Sequence, residues 1–140
     1  AILAAKSAIA EGVVPGGGYT LLHAALEGTE KFLPTLVGSE KIGASCVLES
    51  LKVIVQTIAE NSGINGDVMV KTLVENQLLK NYGYNAKTGE YGNLVEMGVL
   101  DSAKVLRVAL ENAVSAASMC LLTSCTISEV PEETCTCHKK

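Results

Sequence analysis

Ala10–Thr20 reads AEGVVPGGGYT: three glycines behind a proline, set between two alanine- and leucine-rich segments that both have helical spacing. Phosphate cradle, hinge and helix–loop–helix corner all compete for this stretch. A P-loop would need Lys-Ser or Lys-Thr at the spacing that reaches phosphate and magnesium, and none follows. A GxGxxG dinucleotide turn follows a strand, whereas the preceding residues 1–11 carry Ile2, Ala5 and Ile9 at helical intervals and stop at Gly12. Glycines in such a place allow close backbone approach, either to the flat face of a ligand or to another helix. The plainer reading is a corner with permissive dihedrals.

Outward from that corner the pattern is mostly helical. Leu21, Leu22, Ala25 and Leu26 give an apolar side to a helix over Tyr19–Glu27. EGTEKFLPTLVGSE (27–40) reads as an irregular connection. Ile42, Val47, Leu51, Ile54, Val55 and Ile58 predict a long amphipathic helix from Lys41 to Asn61, stopped by NSG at 61–63. Asp67 is expected to cap a helix running through Val70, Leu73 and Val74 toward Leu79. The texture then changes. NYGYNAKTGEYGNLVEMGVLD (81–101) has no 3.6-residue period, and Tyr82, Tyr84 and Tyr91 around NAKTGE suggest a hairpin near 82–92. Asp101 is expected to open a last long helix, with Lys104, Arg107, Glu111, Ser115 and Ser118 wet and Leu106, Leu110, Ala113, Ala117 and Leu121 buried. The β-branched run after Thr123 predicts a terminal strand near 123–130, which needs a partner because one strand cannot satisfy its own backbone.

Composition narrows the function. The chain has 140 residues, a formal charge of −4, no Trp and one Phe, so its core is aliphatic and suits packed helices. No basic stripe is present to neutralise phosphates, which argues against nucleic acid. No basic lead with an apolar h-region and no long apolar run point to secretion or a membrane. The chain opens on Ala1 in mid-helix, without Met or a capping residue, and is expected to be part of a longer protein. Five cysteines, an odd number, fit a reducing compartment, with those in apolar stretches acting as small hydrophobes. Cys135, Cys137 and His138 are too few and too crowded for a closed tetrahedral metal site; a redox- or metal-responsive tail is the sharper alternative. No HExxH, EF-hand or Ser/His/Asp order appears.

Two constellations carry possible chemistry. Asp101, at the end of MGVLD, is ordinarily an N-cap accepting backbone N–H bonds. A carboxylate so placed can also accept both hydroxyls of a ribose. Asn85, in YNAKT, offers a donor and an acceptor that could hold a base edge.

Taken together, AAKSAIAEGVVPGGGYTLL, IAENSGINGDV, YGYNAKTGEYGNLVEMGVLDSAKVLRVALENAVSAAS and TSCTISEVP resemble the carboxyl-terminal part of group I chaperonins, the Hsp60 family of ring-forming folding machines. The resemblance implies a mainly α fold, the helical equatorial ATP-binding domain of such a subunit. Residues 1–11 would be the end of the intermediate-domain helix, 12–130 the carboxyl-terminal part of the equatorial domain and 131–140 a flexible tail. Gly12 would be the hinge, with Gly16–Gly18 beginning the next helix against the nucleotide. By the same match Gly16 and Gly17 approach the nucleotide through their backbone. Asn85, Ala86 and Lys87, with Val99, line the adenine, and Asp101 binds the ribose. Lys87 stands where the family usually has a small residue.

The resemblance further implies an ATPase acting with Mg2+ in a homo- or hetero-oligomeric double ring, with a co-chaperonin and unfolded client proteins as partners and neither nucleic acid nor membrane. No catalytic residue falls within 1–140: the water-activating aspartate would directly precede Ala1, and the phosphate loop and Mg2+ ligands belong to the amino-terminal half. The terminal strand would join a sheet shared between subunits. A chain lacking the catalytic aspartate also fits another class, an inactive structural or ring-assembly element. The ending without Gly-Met repeats and the spacing before KIGASCV look closest to plastid-type members, with bacterial cytoplasm or mitochondrial matrix as alternatives.

Overall fold

The structure, a computed structural model, describes residues 2–125, 127 and 128. The chain divides into two units, Ala1–Arg107 and Val108–Lys140, and the first holds every residue of the candidate site. Helix α1 (Ile2–Glu11) ends at Gly12, whose N–H still bonds Ala8 O at 2.8 Å while its φ of +85° turns the chain out of the helix. Strand β1 (Val13–Pro15) follows, then the glycine corner and α2 (Tyr19–Glu27). The expected irregular connection keeps helical winding in altered form, a π turn over Gly28–Phe32 and a 3₁₀ turn over Leu33–Thr35. Helix α3 (Gly38–Asn61) then begins three residues earlier than Lys41.

The main core lies where α2, α3 and α4 (Gly66–Glu75) meet, and it joins Leu22, Val55, Ala59, Met69, Leu73 and Tyr84. Of the apolar stripe expected on α3, Leu51 and Val55 are buried, whereas Ile42, Val47 and Ile54 are exposed. The cap of α4 is Asn65 rather than Asp67. Asn65 Oδ1 accepts the N–H groups of Asp67 (3.0 Å) and Val68 (3.1 Å), which leaves Asp67 in the first turn, where a carboxylate complements the helix dipole. The helix stops at Glu75, short of Leu79.

The tyrosine-rich segment forms the expected hairpin, β2 (Tyr82–Asn85) against β3 (Glu90–Asn93), with Tyr84 opposite Tyr91. Tyr91 stacks on Tyr82 at a centroid distance of 6.2 Å and meets Tyr84 at 5.1 Å, an aromatic cross-strand cluster that fixes the register. The second sheet is not apparent in the sequence. Strand β4 (Leu100–Ser102) pairs antiparallel with β1, setting Val13 opposite Ser102, Val14 opposite Asp101 and Pro15 opposite Leu100. Asp101 therefore sits in the middle of a strand and does not cap α5, which begins at Ala103 and runs to Leu122. Its alternative backbone partner comes from the opposite end of the sequence, beyond the reach of a local capping rule.

No residue of α5 is buried. Leu106 and Leu110 are half-buried, but Ala113, Ala117 and Leu121, expected on the buried side, are exposed. Both α3 and α5 are long and apolar enough to cross a bilayer, contrary to the expectation from sequence; α3 spends part of that surface on the core with α2 and α4. Cys46, Cys120 and Cys125 are exposed free thiols rather than buried hydrophobes. Of the strand expected near 123–130, Thr123–Cys125, Ile127 and Ser128 have no strand structure. Its other residues, and the tail with Cys135, Cys137 and His138, lie outside the described residues.

Candidate functional site

The β1–β4 ladder positions the site. Beyond its three residue pairs, Gly16 N–H bonds Val99 O at 2.9 Å at one end and Ala103 N–H bonds Gly12 O at 3.2 Å at the other. The glycine corner is thereby held beside the segment that carries Asp101.

Each of the three glycines meets something different. A β-carbon on Gly16 would stand 3.2 Å from both Asp101 Cγ and Oδ2, so the missing side chain is what lets the carboxylate lie against the corner. A β-carbon on Gly17 (φ +64°) would stand 3.5 Å from Tyr84 O and 3.8 Å from Val99 Cγ1. Gly18 (φ +78°) is packed onto α3, where a β-carbon would come within 2.8 Å of Val55 Cγ2. Two glycines thus face the residues singled out from sequence, and the third serves helix packing.

Asn85 opens the hairpin turn. Its Oδ1 accepts the Lys87 N–H at 3.0 Å, and its backbone O accepts from Thr88 (3.2 Å) and Gly89 (2.9 Å). This is an Asx-type turn. The amide oxygen is committed to the turn, while Nδ2 has no protein partner among the described residues. Ala86 and Lys87 are exposed in the loop, and Val99 is half-buried. The structure therefore brings Gly16, Gly17, Tyr84, Val99 and Asp101 into one neighbourhood, with Asn85 the residue after Tyr84. Gly12 stands apart at the far end of the ladder.

Two cavities flank the ladder. One of about 440 Å³ lies between α1, β4 and the start of α5, with Asp101 and Ser102 among its walls. The other, of about 290 Å³, is bounded by Pro15, Tyr19, His23, Gln77, Lys80 and Asn81 with neighbouring residues. Neither has Gly17 or Asn85 in its wall. Ser102 Oγ is buried without a partner among the described residues. No group of three or more His, Cys, Asp or Glu side chains able to hold a metal ion occurs among the described residues.

An ion pair not anticipated from sequence closes the α1 side. Arg107 Nη2 donates to Glu11 Oε1 at 2.7 Å and Nε donates to Oε2 at 3.1 Å, the two-pronged geometry that suits guanidinium to carboxylate. The hydrogen bond from Arg107 holds the Glu11 carboxyl below the usual carboxylate range; desolvation opposes this, and the charges of Arg107 and Lys104 reinforce it. A carboxyl whose folded-state pKa is depressed favours the fold above its unfolded-state pKa, and that contribution is lost as pH falls through the lower folded value. Glu11→Gln in the full-length protein is therefore expected to flatten the acid limb of a melting-temperature profile between about pH 5 and pH 3. An unchanged limb would show the pair to be thermodynamically silent, as many exposed pairs are.

Comparison with known proteins identifies the class. Residues 1–131 match the family model described as the TCP-1/cpn60 chaperonin family. The open-state crystal structure of a group III chaperonin superposes with a TM-score of 0.78 at 35% identity, covering 86% of this chain and 25% of that one. The open-state monomer of a group II chaperonin from Methanococcoides burtonii gives 0.74 at 30% identity, covering 79% of this chain and 28% of that one. The chain belongs to the TCP-1/cpn60 chaperonin family, and it spans about a quarter of the length of these two relatives.

Proposed function

We propose that these residues are the carboxyl-terminal part of a group I, Hsp60-type chaperonin subunit, and that they supply the adenosine-holding side of its ATP site. The observation that carries this reading is the convergence at the glycine corner: Gly16 lies against Asp101, and Gly17 lies against Tyr84 O and Val99. The Asp101 carboxylate would accept the two ribose hydroxyls. Gly17 would offer its bare backbone to the purine, Val99 an apolar contact, and Asn85 the Nδ2 donor left over by its turn. Ala86 and Lys87 would border the base through their backbone, a placement that accommodates a long exposed side chain at position 87.

ATP when bound would supply the phosphoryl group, and its hydrolysis relies on metal and cationic stabilisation of the γ-phosphate. We assign that work to a phosphate loop, Mg2+ ligands and a water-activating aspartate outside residues 1–140. Residues 1–11 would be the end of the intermediate-domain helix and 12–130 equatorial domain. Gly12, strained for any other residue by its φ of +85°, would be the hinge between them. Nucleotide can drive a ring between states only through its different affinity for each; the partners in that cycle would be neighbouring subunits of a double ring, a co-chaperonin and unfolded clients. The compartment that best fits the sequence is the plastid stroma.

Photolabelling the full-length protein with 2-azido-ATP tests the site. Adducts are expected on peptides containing Tyr84–Lys87 or Val99 and should disappear with excess ATP. Competed labelling that falls wholly on other segments would overturn the assignment.

A further inference from the structure

Leu94 and Met69 are the largest fully buried side chains described, each 1% exposed. Met69 belongs to the core of the helices, but Leu94 stands outside that cluster. It is buried instead against the hairpin: a β-carbon on Gly83 would collide with Leu94 Cδ1 and stand 2.8 Å from its Cγ. Gly83 thus leaves the notch that Leu94 fills. The backbone of Leu94 extends the connection in both directions. Its N–H bonds Asn81 O at 2.9 Å, just before β2, and its O accepts the Val99 N–H at 2.8 Å. Val99 O in turn accepts the Gly16 N–H at 2.9 Å. The intervening turn is held from within, since Asn93 Oδ1 accepts Val95 N–H at 3.1 Å and Asn93 Nδ2 donates to Glu96 Oε1 at 2.9 Å.

We propose that Leu94 is a positioning residue for base recognition. Its side chain, seated over Gly83, fixes the hairpin that presents Asn85, and its backbone fixes Val99 and through it the glycine corner. The inference rests on the adenosine site proposed above. It adds that discrimination between bases depends on a residue with no ligand contact of its own. Buried aliphatic packing suits that task because it is directionless but close-fitting, so losing it loosens the hairpin relative to the corner by fractions of an ångström, enough to degrade hydrogen bonding to a base edge.

The test uses the full-length protein, with equilibrium affinities for ATP and GTP measured on the parent, Leu94→Ala, Leu94→Met and Gly83→Ala. Leu94→Ala and Gly83→Ala disturb the same contact from opposite sides. Each is expected to reduce the ATP-over-GTP preference at least tenfold, with turnover at saturating ATP within about twofold of the parent. Leu94→Met, similar in volume, should restore the preference. An unchanged preference in soluble, folded Leu94→Ala and Gly83→Ala rings would overturn the proposal, and so would a uniform loss for both nucleotides. Asn85→Ala and Asp101→Ala, run alongside, separate this failure from that of the site itself. If they too leave ATP affinity untouched, the adenosine site is misplaced; if they weaken it while the Leu94 variants do not, only the positioning role falls.

Discussion

Asp101→Ala in the full-length protein is expected to weaken ATP binding by roughly 1.5–3 kcal/mol, about 10- to 150-fold, as befits the loss of hydrogen bonds to a charged acceptor. The substitution is a clean one. Asp101 is held in β4 by backbone pairing with Val14, which alanine keeps, so the ladder should survive the loss of the carboxylate. No protein partner is left unsatisfied, because no side-chain bond of Asp101 occurs among the described residues. Isothermal titration with ATP and with a 2′,3′-dideoxy analogue would distinguish a ribose contact from a general charge effect: the parent should lose affinity for the analogue, and the variant should bind both alike. Equal ATP affinity in parent and variant would remove Asp101 from the site.

Gly18→Ala is expected to be the most destabilising single change in the glycine corner, by about 2–5 kcal/mol. Two costs add. Alanine at φ +78° pays roughly 1–2 kcal/mol for the left-handed conformation. Its β-carbon would also lie 2.8 Å from Val55 Cγ2 and 3.2 Å from Val55 N, an overpacking of α2 on α3 that typically costs about 1–3 kcal/mol. Val55 sits in the middle of α3 with its side chain buried in the core, so it has little room to yield. Gly12→Ala makes the control: φ is similarly positive at +85°, yet nothing lies within 4 Å of the added carbon, and the cost should stop at about 1–2 kcal/mol. Urea midpoints of the two full-length variants would check the difference. Equal losses would mean that the approach of Gly18 to α3 does not limit packing.

These two residues mark how far a local reading reaches. The helices at Ile2–Glu11 and Tyr19–Glu27 follow from spacing because each buries or ends by a rule that operates within a turn or two. The same holds for the hairpin, where tyrosines two apart on one strand meet a third across a glycine-containing turn. Asn65 and Asp67 are both good acceptors, and only the backbone geometry selects Asn65 as the cap of α4. Asp101 escapes a local rule for a different reason. A carboxylate before a helical pattern has the composition of a cap, and nothing in MGVLD says that VVP, near the other end of the chain, will pair with it. Arg107 and Glu11 lie still farther apart in sequence, and pairing them requires the fold that the ladder creates.

The helical class, the tyrosine hairpin and, through its motifs, the chaperonin resemblance are legible in the sequence, because periodicity and turn chemistry are short-range properties of the chain. That the three glycines have three separate neighbours, that Asp101 belongs to a strand, and that Leu94 connects the hairpin to the corner emerge from the folded chain alone. Those facts depend on backbone pairs and close contacts between segments far apart in sequence, and the energy of such contacts appears only once the chain has brought them together.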